Sequence, residues 1–537
     1  MFSISKYVLN KIRNVFLLFF IFIHLVKGQS QYKTRIKADI CIYGATSSGI
    51  IAAITAHRLG KSVILIEPTS HLGGMSTGGL GQTDIGNKIA ITGIARDFYK
   101  RIGKHYGKPE QWTFEPHVAT EVFNQYLKEE KIEPWMNYEL HHLTKVGDHI
   151  QSITVNTSSI GKKRNVKTID ALVFIDCTYE GDLMAAAGVS YTVGRESNAQ
   201  YIETYNGIQL RDKHQFIDGI DAYKTKGNPS SGLIWGINND VLLSNGSGDS
   251  RIQAYNFRLC LTDNPSNRLP LTKPKDYDPA MFELLVRQIQ SKTIDSLNWQ
   301  LMHIAPMPNH KTDINNCGGF SSDMIGKNYD YPEASMSRRK EIIKSHKSYT
   351  LSWLYFLGHD QRVPEKLRKE MLQWGLPKDE YINTGHFTPQ LYIREARRMI
   401  GEYVMTQHNC VGEEVVSDGI GLAAYTMDSH NCQRTIVNGM VKNEGDVQVG
   451  GFGPYPIAYR SLIPKRDQCS NLLVPVCLSS THIAYGSIRM EPVFMILGQS
   501  AATAAALAID AHTPVQSIDI QLLKESLIKN PLAKDMP

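Results

Sequence analysis

Residues Ala38 to Gly81 read ADICIYGATSSGIIAAITAHRLGKSVILIEPTSHLGGMSTGGLG. Ile40-Cys41-Ile42-Tyr43 is a compact apolar run of the kind a buried strand shows. The turn Gly44-Ala45-Thr46-Ser47-Ser48-Gly49 follows at once, with Gly44 suited to the tight bend and Gly49 to close helix–strand packing. An Ala- and Ile-rich helix is predicted from about Ser48 to Leu59, with Gly60 where a C-cap belongs. Val63-Ile64-Leu65-Ile66 is a second strand, closed by Glu67, 18 residues beyond Gly49. Strand, Gly-rich turn, helix, strand and acid in this order are the layout of a dinucleotide-binding βαβ unit. The helix N-terminus would face a pyrophosphate, and the acid would accept both hydroxyls of an adenosine ribose. Thr46 stands where such turns carry their middle glycine, so the alternative of an α/β unit whose glycines serve only packing stays open.

The run after the acid, His71-Leu72-Gly73-Gly74-Met75-Ser76-Thr77-Gly78-Gly79-Leu80-Gly81, implies a chain pressed against something flat or extended. A flavin running out from the pyrophosphate would supply that surface, which points to FAD with Gly73, Gly74, Met75, Ser76 and Gly79 beside it. The chain here resembles the FAD-dependent oxidoreductases of the glutathione-reductase-like superfamily, whose fumarate-reductase-like branch has a similar Gly-Gly turn. It is most similar to a bacterial group called FAD-dependent oxidoreductase, often labelled xanthan lyase, over most of the chain beyond residue 28. The resemblance implies an α/β fold, a Rossmann-like FAD-binding domain of the glutathione-reductase type with a large inserted α+β substrate domain. Its parts are expected at residues 36–195 (first FAD part), 196–469 (insert), 470–515 (returning FAD part) and 516–537 (tail).

Two later stretches read as returns to the first. Ile150 to Asn156 and Asn165 to Thr168 form a hairpin pattern around the polar turn Ser158 to Arg164, and Ala171 to Ile175 is another buried strand. It runs into Asp176-Cys177-Thr178-Tyr179-Glu180-Gly181-Asp182, which by the resemblance lies close to FAD, with Thr178 a cofactor residue. Asp182 has two readings, a flavin contact or the cap of a helix Leu183 to Ala187. The second return is Ser479 to Pro492, after a strand-like Asn471 to Val476 and before the small-residue helix MILGQSAATAAALAI. Pro492 suits a first helical turn. The resemblance aims that helix at the pyrimidine edge of the flavin, where reduction places negative charge that a helix N-terminus stabilises, and puts Gly486, Ser487 and Arg489 at the cofactor.

Between Ser197 and Cys469 the pattern is irregular. Pieces that match the family are Gln253-Ala254-Tyr255-Asn256-Phe257-Arg258, Lys311-Thr312-Asp313-Ile314-Asn315-Asn316, Tyr331-Pro332-Glu333-Ala334 and Leu391 to Gly401. The last looks helical, which would set Arg394, Arg397 and Arg398 on neighbouring faces, either as a solvated ion-pair face with Glu395 or as an anchor for an oxygen-rich substrate or flavin phosphate. Arg394 is the substrate anchor on the second reading. Oxidation of an alcohol needs a base for the hydroxyl proton, and histidine suits neutral pH. His482, before a turn at Gly486, is the first candidate and His71 the second; a histidine that only satisfies local backbone groups is the alternative.

Residues 1–28 have the layout of a secretion signal, with Lys6, Lys11 and Arg13 before the apolar core Val15 to Val26. Twelve residues are too few for a bilayer span, which needs about 20. A secreted or periplasmic protein without a stable membrane span is expected. Removing this segment takes away four basic residues and no acid, so the formal net charge of +6 falls to +2 and gives no case for a nucleic-acid partner. None of the eight cysteines forms a C-x-x-C pair, which argues against a metal or iron–sulfur site; Cys410–Cys432 and Cys469–Cys477 are the disulfide pairings open to an exported protein. The expected activity is FAD-dependent oxidation of a small molecule, a sugar, oligosaccharide or related alcohol, by hydride transfer. The family's lyase label and a non-catalytic binding role are the alternatives, and no motif names the electron acceptor.

Overall fold

A computed structural model describes residues 33–157 and 165–532. The leader expected over residues 1–28, the turn 158–164 and the last five residues of the tail lie outside them. The opening segment folds as its pattern dictates. Strand β1 (Lys33–Tyr43) leads through the Gly44 turn into helix α1 (Ser47–Arg58), and β2 (Val63–Glu67) follows. Thr46 caps α1, its hydroxyl accepting from Gly49 N at 3.4 Å and donating to Cys177 O at 2.8 Å. The helix stops at Leu59 because Gly60 turns left-handed at φ +74°. At Gly49 a Cβ would meet Gly44 O at 1.8 Å, so the turn closes only without a side chain there.

Five further strands complete the principal sheet: β3 (Trp135–Met136), β4 (Tyr138–Val146), β5 (His149–Thr157), β6 (Val166–Asp176) and, from far along the chain, Leu472–Leu473. The order is β3-β2-β1-β6-β5-β4, with Leu472–Leu473 beside the end of β6. β3, β2, β1, β6 and Leu472–Leu473 run parallel; β5 turns back antiparallel to β6, and β4, antiparallel to β5, resumes the direction of the rest. The expected hairpin is present as β5 and β6, but the runs expected at 165–168 and 171–175 belong to the one strand β6, and β4 pairs along β5 as well. Gly44, Glu67 and Cys177 all sit at the carboxyl ends of the parallel strands, where open α/β sheets bind their ligands.

Helices α2 (Gly93–His105) and α3 (Pro116–Glu129) follow β2. The inserted region carries a three-stranded sheet of β7 (Leu259–Thr262), β8 (Met302–Met307) and β9 (Lys311–Asn316) in the order β8-β9-β7, several two-stranded ribbons, and the long helix α4 (Met336–His359). Two helices end the fold's core: α5 (His482–Ile488) and α6 (Glu491–Asp510), the latter starting with Pro492 in its first turn. Alanines at 501, 502, 504 and 505 are fully buried, and Gly498 lies against Ser48 O, where a Cβ would come within 2.3 Å. Small residues thus let α6 lie directly on α1. α6 is long and apolar enough to cross a membrane, yet 89% of its apolar window is buried inside the protein, as a core helix requires.

Three expectations change. Leu391–Gly401 is extended rather than helical: Tyr392 bridges Asn256, and Arg398–Met399 pairs with Tyr191–Thr192. Its arginines are buried rather than solvated, because an extended chain lets each reach carboxylates on a different element. Gly486 lies within α5 rather than in a turn; it is small so that the helix can approach Asp428, whose O a Cβ would meet at 2.7 Å. All eight cysteines are free and buried, so neither of the two pairings left open forms.

Candidate cofactor and substrate site

A cavity of about 400 Å³ opens at the carboxyl ends of β1, β2 and β6, and Gly44, Thr46, Glu67, Gly74 and Thr178 line it. Glu67 Oε2 accepts from Ala45 N at 2.8 Å, and Oε1 accepts from Thr69 N and Oγ1 at 2.9 and 2.6 Å. Burial pushes its carboxyl up to about 7 despite these bonds. The Ser47 and Ser48 hydroxyls, in the first turn of α1, are buried without a partner at hydrogen-bond geometry and only skim the Glu491 carboxyl and the Cys177 thiol. A carboxylate at the end of β2, a helix N-terminus with spare hydroxyls and an open cavity between them fit the ribose and pyrophosphate of FAD.

Gly73, Met75, Ser76 and Gly79 are buried behind that wall. Gly73 and Gly79 turn left-handed at φ +87° and +110°, and Gly79 packs on Arg258 O. Glu491, the first residue of α6, joins the cofactor segments: Ser76 Oγ donates to it at 2.6 Å and Tyr179 OH at 2.8 Å, while Met75 N donates to the same Tyr179 oxygen. His71 also lines the cavity; burial lowers its pKa to about 4, and its Nε2 lies 2.9 Å from Gly74 O. Asp182 neither caps the following helix nor stands free. Asp176 Oδ2 accepts from Met184 N instead, and Asp182 takes Arg339 at 2.6 and 2.9 Å and Arg397 at 2.8 Å.

The structure separates the other expected residues from this cavity. Ser487 Oγ accepts from Tyr455 OH and donates to Tyr425 O, which holds α5 in place. His482 is buried at the start of α5, with Nδ1 2.8 Å from Glu395 Oε2 and Nε2 2.9 Å from Ser429 Oγ. Both ring nitrogens are engaged. Burial pushes the Glu395 carboxyl upward, but His482 and Arg398 outweigh it and hold the group at about 2.

Arg394 and Arg489 meet in a buried polar cluster that sequence reasoning did not assemble. Arg394 reaches Asp323 at 2.9 Å and bonds Ala254 O; Arg489 donates to Asp428 O at 2.9 Å and to Gln253 Oε1 at 3.3 Å. His430 stands between them, its Nδ1 3.3 Å from Asp323 Oδ2 and its Nε2 3.5 Å from Asp428 Oδ2. Burial works against both aspartates, but Arg394 and His430 lower Asp323, and His430 and Arg489 lower Asp428 well below the usual carboxylate range. Within the cluster Gln253 Nε2, Arg394 Nε and Arg489 Nε are donors without a partner, and Asn256 Oδ1 and Asp428 Oδ1 are acceptors without one. The available signal was Asp428-Ser429-His430-Asn431, a polar tetrad holding an acid and a histidine two residues apart.

The cluster and the cavity lie back to back. Asn256 and Tyr392 form an antiparallel bridge, and side chains alternate across it. Phe257 and Leu391 line the cofactor cavity, whereas Tyr392 OH faces Arg489 at 3.4 Å. Among the described residues one group has metal-ligand geometry, Glu115, His117 and Glu380. Lys311 Nζ sits 2.7 Å from Glu115 and 2.8 Å from Glu380, so an ammonium already supplies the positive charge there.

A family profile described as FAD dependent oxidoreductase matches residues 39–527. The chain belongs to that family. FAD is its cofactor, and it is an FAD-dependent oxidoreductase. Thiamine thiazole synthase of Pyrococcus horikoshii is 24% identical over 226 residues, 39% of this chain and 88% of the relative. Among solved structures, THI4 of Thermovibrio ammonificans is 16% identical over 36% of this chain and 76% of its own, with a TM-score of 0.23. A flavoprotein/dehydrogenase from Cytophaga hutchinsonii is 14% identical over 30% of this chain and 44% of its own, with a TM-score of 0.22.

Proposed function

We propose that this FAD-dependent oxidoreductase oxidises a carbohydrate or a related neutral alcohol, and that it does so outside the cytoplasm. The observation that carries the substrate class is the balance of the buried cluster. Arg394 and Arg489 already face Asp323 and Asp428, so the cluster favours a ligand without net charge. Its unpartnered atoms include both donors and acceptors. Hydroxyl groups satisfy both kinds at once, as no carboxylate or ammonium does. The leader-like residues 1–28 support the extracytoplasmic setting.

Bound FAD supplies a hydride acceptor. The chain's part is to hold the alcohol and take its proton. Asp323 accepts from His430 Nδ1, which fixes the tautomer and leaves Nε2 as the basic nitrogen. Arg394 and Arg489 position neighbouring hydroxyls, and the buried setting excludes water.

The test is an anaerobic panel of mono- and oligosaccharides, simple polyols, amines and amino acids added to the flavin-loaded protein. Bleaching of the oxidised flavin band by a hydroxylated donor, much slower in His430→Gln, is the expected result. A panel in which only amines or amino acids bleach the flavin would overturn the reading.

A further inference from the structure

Helix α4 belongs to the inserted region, yet one of its faces is a wall of the cofactor cavity. Met336, Arg339, Lys340, Ile343 and Lys347 recur at spacings of three and four, and all five line the cavity that Glu67 and Gly44 open. Met336 and Ile343 are only half-buried, apolar side chains facing open space. Pro68, Thr69 and Ser70, the residues directly after the ribose-binding acid, line the same cavity, as does Asn137. Asn137 is fixed there, its backbone N donating to Thr69 O at 2.9 Å.

The helix is clamped in this position. Arg339 makes a two-pronged ion pair with Asp182 at 2.6 and 2.9 Å, and Tyr331 OH donates to Glu180 at 2.9 Å. Both acceptors belong to the loop after β6 that borders the cofactor.

We infer that α4 is the adenine wall of the FAD site: the purine lies between Pro68 and the Met336–Ile343 face. The chemistry selects an adenine at this end. The Glu67 carboxylate marks the ribose, and beyond it the cavity offers apolar surface on two sides, which suits a flat ring. The Asn137 amide and Lys340 and Lys347 supply polar groups for the ring's edge. The insert thereby holds the cofactor as well as the substrate cluster, and FAD release requires α4 to move.

The experiment uses ADP as a probe of the adenosine half, titrated into the mature protein stripped of FAD, with FMN as the probe that lacks adenine. Ile343→Asp should weaken ADP at least tenfold and speed FAD release from the loaded protein, while FMN affinity and the melting temperature of the stripped protein stay unchanged. Ile343→Leu should restore ADP binding. Should Ile343→Asp fail to fold, Ile343→Ala, which only removes apolar surface, reads the same contact as a loss of about threefold. Unchanged ADP affinity in Ile343→Asp and Ile343→Ala, or an equal fall in FMN affinity, would overturn the inference.

Discussion

Glu67 offers a test in which the cofactor site's chemistry is read without turnover. Its carboxyl is buried and lifted from the ordinary 4.5 to about 7. A group whose folded-state pKa is raised contributes stability at low pH that is lost as pH rises through that value. Between pH 4.5 and 7 the folded FAD-free protein keeps a proton that the unfolded chain gives up, so stability must fall across that window. At about 1.4 kcal/mol per unit, the loss is about 3 kcal/mol. Glu67→Gln removes the titration. It also disturbs the three hydrogen bonds from Ala45 and Thr69, at a cost of about 1–3 kcal/mol that does not vary with pH. The stability of Glu67→Gln relative to the parent should therefore rise by about 3 kcal/mol from pH 4.5 to 7 and be flat above, whatever its starting offset. Urea unfolding of both FAD-stripped proteins at five or so pH values measures this directly. A difference that stays constant across the window would refute the claim that burial holds this carboxyl protonated. FAD affinity should move the other way, about tenfold or more weaker in Glu67→Gln at pH 8, because an ionised acceptor of the ribose hydroxyls is lost.

His430→Gln should retain bound FAD, seen in its visible spectrum, while its rate of flavin bleaching by the alcohol falls about a hundredfold or more. His482→Gln should do the reverse, lowering the melting temperature through the lost Glu395 and Ser429 contacts with most of the bleaching rate intact; equal rate losses in the two variants would contradict the assignment of roles. Arg398→Met leaves the Glu196 and Glu395 carboxylates, 2.6 and 3.0 Å from the guanidinium, without their cation, and should cost about 3–5 kcal/mol in unfolding free energy. A thiol reagent should find no reactive cysteine in the native protein and eight after denaturation, and heating with a reductant should leave the melting temperature unchanged.

The cofactor half of the fold was legible because it is local. The turn Gly44–Gly49, the helix behind it and Glu67 are fixed by neighbours within 30 residues, so spacing alone placed them. The return of α6 was legible for a related reason: a run as poor in side chains as Gly498 to Ala506 has little use except close packing. Leu391–Gly401 was misread because arginines at spacings of three and four imitate a helix face. What decides its conformation is the position of Asp323, Asp182 and Glu196, each far away in sequence. His430 was missed for the same reason, since its partner Asp323 lies 107 residues before it. The cysteines were not decided by compartment: an export signal left disulfides open, but all eight are buried as free thiols.

The bridge between Asn256 and Tyr392 explains why the insert sits where it does. A flavin oxidoreductase needs apolar surface against its cofactor as well as polar groups nearby. A two-residue alternation meets both demands. At the bridge Phe257 and Leu391 give the cavity an apolar wall, while Asn256 and Tyr392, with Arg394 and Arg258 beside them, face the other way. Replacing Phe257 by a charged residue would put that charge into the cavity. Replacing Asn256 would leave the cavity intact and remove an acceptor from the cluster. Cavity wall and polar cluster therefore occupy opposite faces of the same bridged segments, so that substitutions can alter them separately.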